Sequence, residues 1–304
     1  MPPIVRELLG ADREFPPAET RALHAAMGRY HRFQGAHVSR TWADALEAIH
    51  HLRAAGEHEA ADALAEPVAD FYYRRGAFAE ALALVVPIVQ RTAPSPPWWA
   101  WNRHGQCLLS LGEPDAALGS FERALAVCPD DQARGATLAN IGSIHHARGD
   151  YGEALRHLEQ SLAIRRAIGD RAGEGATLNN IGQIHQARGD YGEALRHLEQ
   201  SLEIGRAIGD RAGSIPTLHN LAHIALAQGE PQRAFEYWQE ALALAHDTGN
   251  ALGLFHVAGA MGQLLAQAGQ PEPARKLLGL AIQVGRSAGL SGVEELEQAL
   301  GKLG

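Results

Sequence analysis

Between residues 136 and 169 apolar positions recur at the i, i+3, i+4 spacing of an amphipathic helix, in two runs separated by a glycine. Leu138, Ile141, Gly142 and His145 form the inner stripe of a first helix. Gly149-Asp150 ends it, glycine supplying the left-handed backbone favoured at a helix C-terminus. Tyr151 opens a second helix, whose inward residues are Ala154, Leu155, Leu158, Ser161 and Leu162. Gly142 and Ala154 lack bulk where the two helices approach closely. The pattern predicts an antiparallel hairpin, and it is written twice: residues 136–175 and 176–215 agree at 33 of 40 positions. A fixed period of this size marks a solenoid, in which each unit buries its apolar side against the next.

The seven differences between the copies are Ala139/Asn179, Ser143/Gln183, His146/Gln186, Ala163/Glu203, Arg165/Gly205, Glu174/Ser214 and Gly175/Ile215. The first three are spaced i, i+4, i+7, so they share one stripe of the first helix, a stripe expected to face something other than the core. The same frame locates a unit at 216–255 through Leu218, Leu221, Ala222, Gly229, Ala234, Trp238 and Ala241. Another spans 256–290 through Met261, Gly262, Leu265, Gly269, Ala274, Leu278 and Ala281.

Upstream, Trp101, Gly105, Leu108, Ala117, Phe121, Ala124 and Pro129 reproduce W-x2-L-G-x2-Y, then A-x3-F, then P. This resembles the tetratricopeptide repeat in its 34-residue form. Residues 136–255 are similar to the 40-residue variety found in kinesin light chains and spindle-orientation adaptors, closing on Gly169-Asp170 and Gly209-Asp210. The resemblance implies an all-α fold, a right-handed superhelical solenoid of antiparallel hairpins. Those hairpins are expected at about 62–92, 98–131, 136–175, 176–215, 216–255 and 256–290, with a capping helix over 291–304. Pro94, Pro96 and Pro97 must break the helical run before the second hairpin. Trp98 and Trp99 would cover that break.

Residues 1–61 read as an irregular helical segment. ALHAAMGRYHRF (22–33) and WADALEAIHHLRAAGEHEAADAL (42–64) resemble the arm that precedes the superhelical sensor of STAND-type signalling NTPases. That likeness implies a nucleotide-binding domain N-terminal to this chain. The chain itself carries no GxxxxGK[ST] phosphate loop.

In the long-repeat families an Asn on the first helix bonds the backbone of an extended bound peptide. Asn140, Asn180 and Asn220 recur at that place, two residues before Gly142, Gly182 and Ala222, and the resemblance implies a similar ladder in a concave groove. A side-chain amide both donates and accepts, so it can pair with a main chain of any sequence. The alternative is that these amides bond to neighbouring helices and orient the repeats. Beside them lie the variable sets Ala139, Asn179 and His219; Ser143, Gln183 and His223; and His146, Gln186 and Leu226. These would set specificity, unless they record only drift after duplication. Glu153, Arg156, His157, Glu159 and Gln160, taken as outer surface, are repeated unchanged, which favours selection on the groove. His145 and His185 occupy the inward position of the family's Tyr and read as core.

Composition narrows the function. The net charge of −8 argues against nucleic acid as the main partner, and Lys occurs only at Lys276 and Lys302. No apolar stretch of about 18 residues predicts a membrane span, and the N-terminus has no signal-peptide pattern. Cys107 and Cys128 read as reduced thiols of a cytoplasmic protein. His219 and His223 have the i, i+4 spacing of a metal pair, but no third ligand is readable and HNLAH lacks a metalloprotease glutamate. No nucleophile has a histidine and an acid arranged around it. The expectation is a noncatalytic module, without cofactor or metal, that binds a peptide or protein segment. The alternative is a small-molecule sensor of a bacterial regulator.

Overall fold

The computed structural model describes residues 42–303 apart from Pro94, together with isolated positions between 18 and 31. Most of the 22–33 stretch therefore lies outside the described residues. Among the described residues every regular element is an α-helix. The first five are α1 Trp42–Ala55, α2 His58–Arg74, α3 Phe78–Val89, α4 Trp98–Ser110 and α5 Pro114–Ala126. Next come α6 Asp131–Ala147, α7 Tyr151–Ile168, α8 Arg171–Ala187, α9 Tyr191–Ile208, α10 Arg211–Ala227 and α11 Pro231–Asp247. The chain closes with α12 Ala251–Gln267, α13 Pro271–Ala288 and α14 Val293–Gly301. They fall into two compact units, Met1–Pro129 and Asp130–Gly304.

In the first unit α1 to α5 pack in sequence around Ile49, Val68, Val85, Ile88 and Trp101. Trp98 and Trp99 lie against this core at the start of α4, after the proline-rich segment that separates it from α3. A Cβ at Gly105 would meet the Phe121 ring at 2.8 Å, so the W-x2-L-G pattern marks the close crossing of α4 and α5. Asp62 and Arg91, both nearly buried, join α2 to the end of α3 through a bidentate pair at 3.1 and 2.5 Å.

The second unit stacks the hairpins α6–α7, α8–α9, α10–α11 and α12–α13, and α14 packs on α13. The 40-residue period holds, but each first helix starts five residues earlier than the frame drawn at 136, 176, 216 and 256. The reason is capping. Asp130, Asp170, Asp210 and Asn250 accept the N–H of Ala133, Gly173, Gly213 and Gly253 at 2.7 to 2.9 Å. Gly149 sits at φ +81° in the hairpin turn and Gly169 at +73° between hairpins, a backbone that side-chain-bearing residues adopt at a cost.

Close approach fixes the pairing inside each hairpin. A Cβ at Gly142 would lie 2.7 Å from Leu158 Cγ and 3.2 Å from the Ala154 carbonyl; Gly182 meets Leu198 in the same way. Buried Ser161 donates to the Gly135 carbonyl at 2.7 Å, and Ser201 to the Gly175 carbonyl at 2.8 Å. These bonds explain two hydroxyls on an otherwise apolar stripe. His157 and His197 are not on the outer surface, where the sequence placed them. They stack on His145 and His185 with ring centroids 5.5 Å apart in both copies. Position 157 turns toward α6 because it shares a helix face with buried Ala154 and Ser161, three residues before it and four after.

A candidate peptide-binding face

The first helices α6, α8, α10 and α12 lie side by side and present one stripe each. Burial defines which residues belong to it. Positions 136, 140, 143 and 147 of α6, with their counterparts forty residues on, are open or half-buried. Ala139 and Asn179 are closed, at 9% and 7% exposure. The variable stripe at 139, 143 and 146 is thus closed at its first position and half-buried at 143 and 146. A rotation of one residue about the helix carries 139 into the seam between neighbouring first helices.

Asn140, Asn180 and Asn220 do stand on the open stripe, half-buried. Asn220 Nδ2 also reaches back to Asn179 Oδ1 at 3.0 Å, an inter-hairpin bond that engages the buried Asn179 within the stack. Beside them, Ser143 donates to the carbonyl of Ala139, whereas Gln183 and His223 occupy the same register half-buried. His146 turns toward Tyr151 at the hairpin bend (centroids 5.9 Å), and Gln186 is its counterpart in the second copy. Across α6, α8 and α10 the open stripe holds Ala, Pro, Asn, Ser, Gln and His, with no carboxylate, Lys or Arg. In a chain of net charge −8 such a strip suits a main chain better than a charged group.

At its C-terminal end the stripe meets the segment leading into α14. There His219 and His223 of α10 and His256 and Gln263 of α12 line a cavity of about 270 Å³ with Glu295 and Leu296. His219 has both ring nitrogens engaged. Its Nδ1 accepts from Trp238 Nε1 at 3.1 Å, and its Nε2 lies 3.0 Å from His223 Nε2. Burial, then the nearby His223 and His256, hold His219 down to about 3, and burial lowers His223 and His256 as well. All three imidazoles are neutral at pH 7. The two rings at metal-pair spacing are hydrogen-bonded to each other and, through His219, to Trp238.

A tetratricopeptide-repeat model matches residues 99–167, 134–207 and 213–287. The chain belongs to the tetratricopeptide-repeat family. This tetratricopeptide solenoid is similar to a Rap protein complexed with competence and sporulation factor. The identity is 14% and the TM-score 0.64, over 95% of this chain and 80% of that one. It is also similar to a STAND protein with a tetratricopeptide repeat sensor from Pyrococcus horikoshii, at 19% identity and a TM-score of 0.63. That match covers 97% of this chain but 43% of the other. A putative kinesin light chain of nearly identical repeats from Podosopora anserina matches at 23% identity and a TM-score of 0.47, over 61% and 94% of the two chains. These likenesses concern the fold. No curated sequence matches the chain significantly. Among the described residues no helix is long and apolar enough to cross a membrane.

Sequence reasoning gave Trp238 only a place in the repeat frame and passed over His256, Gln263 and Glu295. One signal pointed to the first: in the third hairpin Trp238 replaces Leu158 and Leu198 where His219 replaces Ala139 and Asn179. Glu295 had no such signal, since it enters from a helix outside the repeat.

Proposed function

We propose that this tetratricopeptide solenoid is a noncatalytic recognition module whose first-helix face binds an extended segment of another protein. The observation that carries the reading is the row of half-buried amides, Asn140, Asn180 and Asn220, spaced one hairpin apart on an uncharged strip. Each amide can give and take a hydrogen bond with a peptide main chain. Ser143, Gln183 and His223 lie next to the row and would tune which side chains are accepted, while the burial of Ala139 and Asn179 favours a packing role for them. The finer reading, a cytoplasmic sensor portion of a STAND-like signalling protein, draws support from the shared fold over nearly the whole chain. A nucleotide-binding domain would then act with it.

A second reading, a small-ligand sensor, has the cavity of about 270 Å³ in its favour. Pull-down with the full chain, followed by mass spectrometry of both proteins and small molecules, separates the two. The peptide reading expects a protein partner whose capture falls at least about a hundredfold in the Asn140→Ala/Asn180→Ala/Asn220→Ala variant, each lost amide removing on the order of 1 kcal/mol. Undiminished capture by the triple variant would place recognition elsewhere.

A further inference from the structure

This inference rests on the peptide reading of the first-helix face and concerns the cavity at its C-terminal end. Trp238 Nε1 lies 3.1 Å from His219 Nδ1. An indole nitrogen carries a proton and offers no lone pair, so it can only donate. His219 Nδ1 is therefore bare, and the neutral ring carries its proton on Nε2. That atom is 3.0 Å from His223 Nε2. His219 donates, His223 Nε2 accepts, and the single proton of neutral His223 is left on Nδ1. Each step is forced by the one before it. His223 lines the cavity, and its hydrogen bond to His219 uses Nε2 and not Nδ1.

We propose that the chain Trp238–His219–His223 locks His223 as its Nδ1–H tautomer and makes it a fixed hydrogen-bond donor at this cavity, for a main-chain amide carbonyl of the bound peptide. A rotatable side chain must be ordered before it binds; this donor is already oriented through two rings and a buried indole, Trp238 being 1% exposed. Charge selects the acceptor. Among the described residues Glu295 is the one formally charged residue lining the cavity, so a ligand carboxylate would meet a like charge where an amide carbonyl meets none. Burial supports the neutral state of both rings on which the chain depends. The duplicated hairpins have no such device, since Leu158 and Leu198 hold the place of the indole.

The test is ¹⁵N NMR of the histidine side chains in the full chain at pH 7, before and after addition of the neutral probe acetyl-tetra-alanine-amide, with acetate as the comparison. The expected spectrum shows His219 as Nε2–H and His223 as Nδ1–H. The peptide should move the His223 signals saturably and acetate should not. Trp238→Phe should mix the tautomers of both rings, and His223→Leu should weaken the peptide about tenfold while His223→Gln, which keeps an N–H but not the oriented ring, recovers only part of that loss. His223 found as Nε2–H overturns the locked donor without any ligand. A probe that shifts the Asn140 and Asn180 side-chain amides but not His223 overturns the inference and leaves the peptide reading standing; a probe that shifts neither overturns both. Equal response to acetate overturns the choice of a carbonyl.

Discussion

The duplicated hairpins (131–208) and the hairpin that follows them (211–247) share a period and a capping scheme, yet they use histidine in opposite ways. In each duplicate a histidine pair is stacked inside the hairpin, His145 on His157 and His185 on His197. In the third hairpin those positions are Ala225 and Tyr237, and the imidazoles sit instead at 219 and 223, one in the seam and one on the open stripe. The polar clasp changes too. Ser161 and Ser201 bond back to Gly135 and Gly175, whereas the corresponding Ala241 is buried without a polar atom. Glycines 135 and 175 give way to Ile215, whose side chain fills the gap. The lesson is that the hairpin frame needs small residues at the crossing and a cap at its start. What fills the seam is exchangeable, provided its members change together.

The largest effect should come from removing the residue on which the third hairpin's version depends. Trp238 is fully buried in a cluster with Leu218, Leu221 and Met261. Trp238→Ala should destabilise the second unit by about 3–5 kcal/mol, read by urea unfolding followed by circular dichroism. Loss of less than about 1 kcal/mol would mean that the indole is not the centre of that seam.

A smaller change tests the crossing itself. At Gly182 a Cβ would stand 2.7 Å from Leu198 Cγ and 3.3 Å from the Ala194 carbonyl, so Gly182→Ala should cost about 1–3 kcal/mol. The reciprocal Ala222→Gly in the third hairpin should cost about 1–2 kcal/mol, the flexibility penalty of a mid-helix glycine plus the loss of a buried methyl. If either substitution costs nothing, the crossings are not different and the comparison fails at this point.

These differences show where the sequence is legible. Helix type, period and the crossing at Gly142 follow from spacing and residue size, because each is a local property repeated many times. The phase of the repeat was misplaced by five residues, since apolar periodicity does not reveal which Asp caps a helix. The open stripe was misplaced by one residue at Ala139 and Asn179. A variable position and an exposed one look alike in two copies when a neighbouring helix, and not solvent, tolerates the change. Asn179 shows this directly, its variation being answered by Asn220 from the next hairpin. His157 was lost to the same ambiguity, a polar residue on a helix face being read as solvated until its stacking partner is known.

Acid should separate the two uses of histidine. The folded chain holds His197 down to about 4, through burial and then Arg196, and His219 down to about 3, through burial. Both lie below the unfolded value of 6.5, so below that pH the unfolded chain binds more protons than the folded one. Their stabilisation is complete above about pH 6.5 and is lost as pH falls, over a window ending near 4 for His197 and near 3 for His219. Melting temperatures between pH 7 and 4 should therefore decline less steeply in His219→Gln and in His197→Gln than in the parent. The two variants should diverge only toward the acid end. Parallel curves for all three proteins would show that neither ring resists protonation.

The smallest effect is expected where the comparison touches recognition. Asn220 donates to buried Asn179 at 3.0 Å, while Asn180 has only a 3.5 Å approach from Asn179 Nδ2. A neutral hydrogen bond of the first kind contributes about 0.5–1.5 kcal/mol net, and replacing a helical Asn by Ala returns several tenths. Asn220→Ala should accordingly lower stability by less than about 1 kcal/mol, and Asn180→Ala should leave it unchanged. Both should weaken capture of a partner, because each removes a group that can pair with a main chain. The pair of measurements discriminates sharply. If Asn220→Ala lowers the melting point by many degrees and leaves capture intact, its amide orients hairpins and serves no ligand. If Asn180→Ala, with no hairpin bond to lose, also leaves capture intact, the row of amides is not a reader, and the face that binds a partner lies elsewhere on the solenoid.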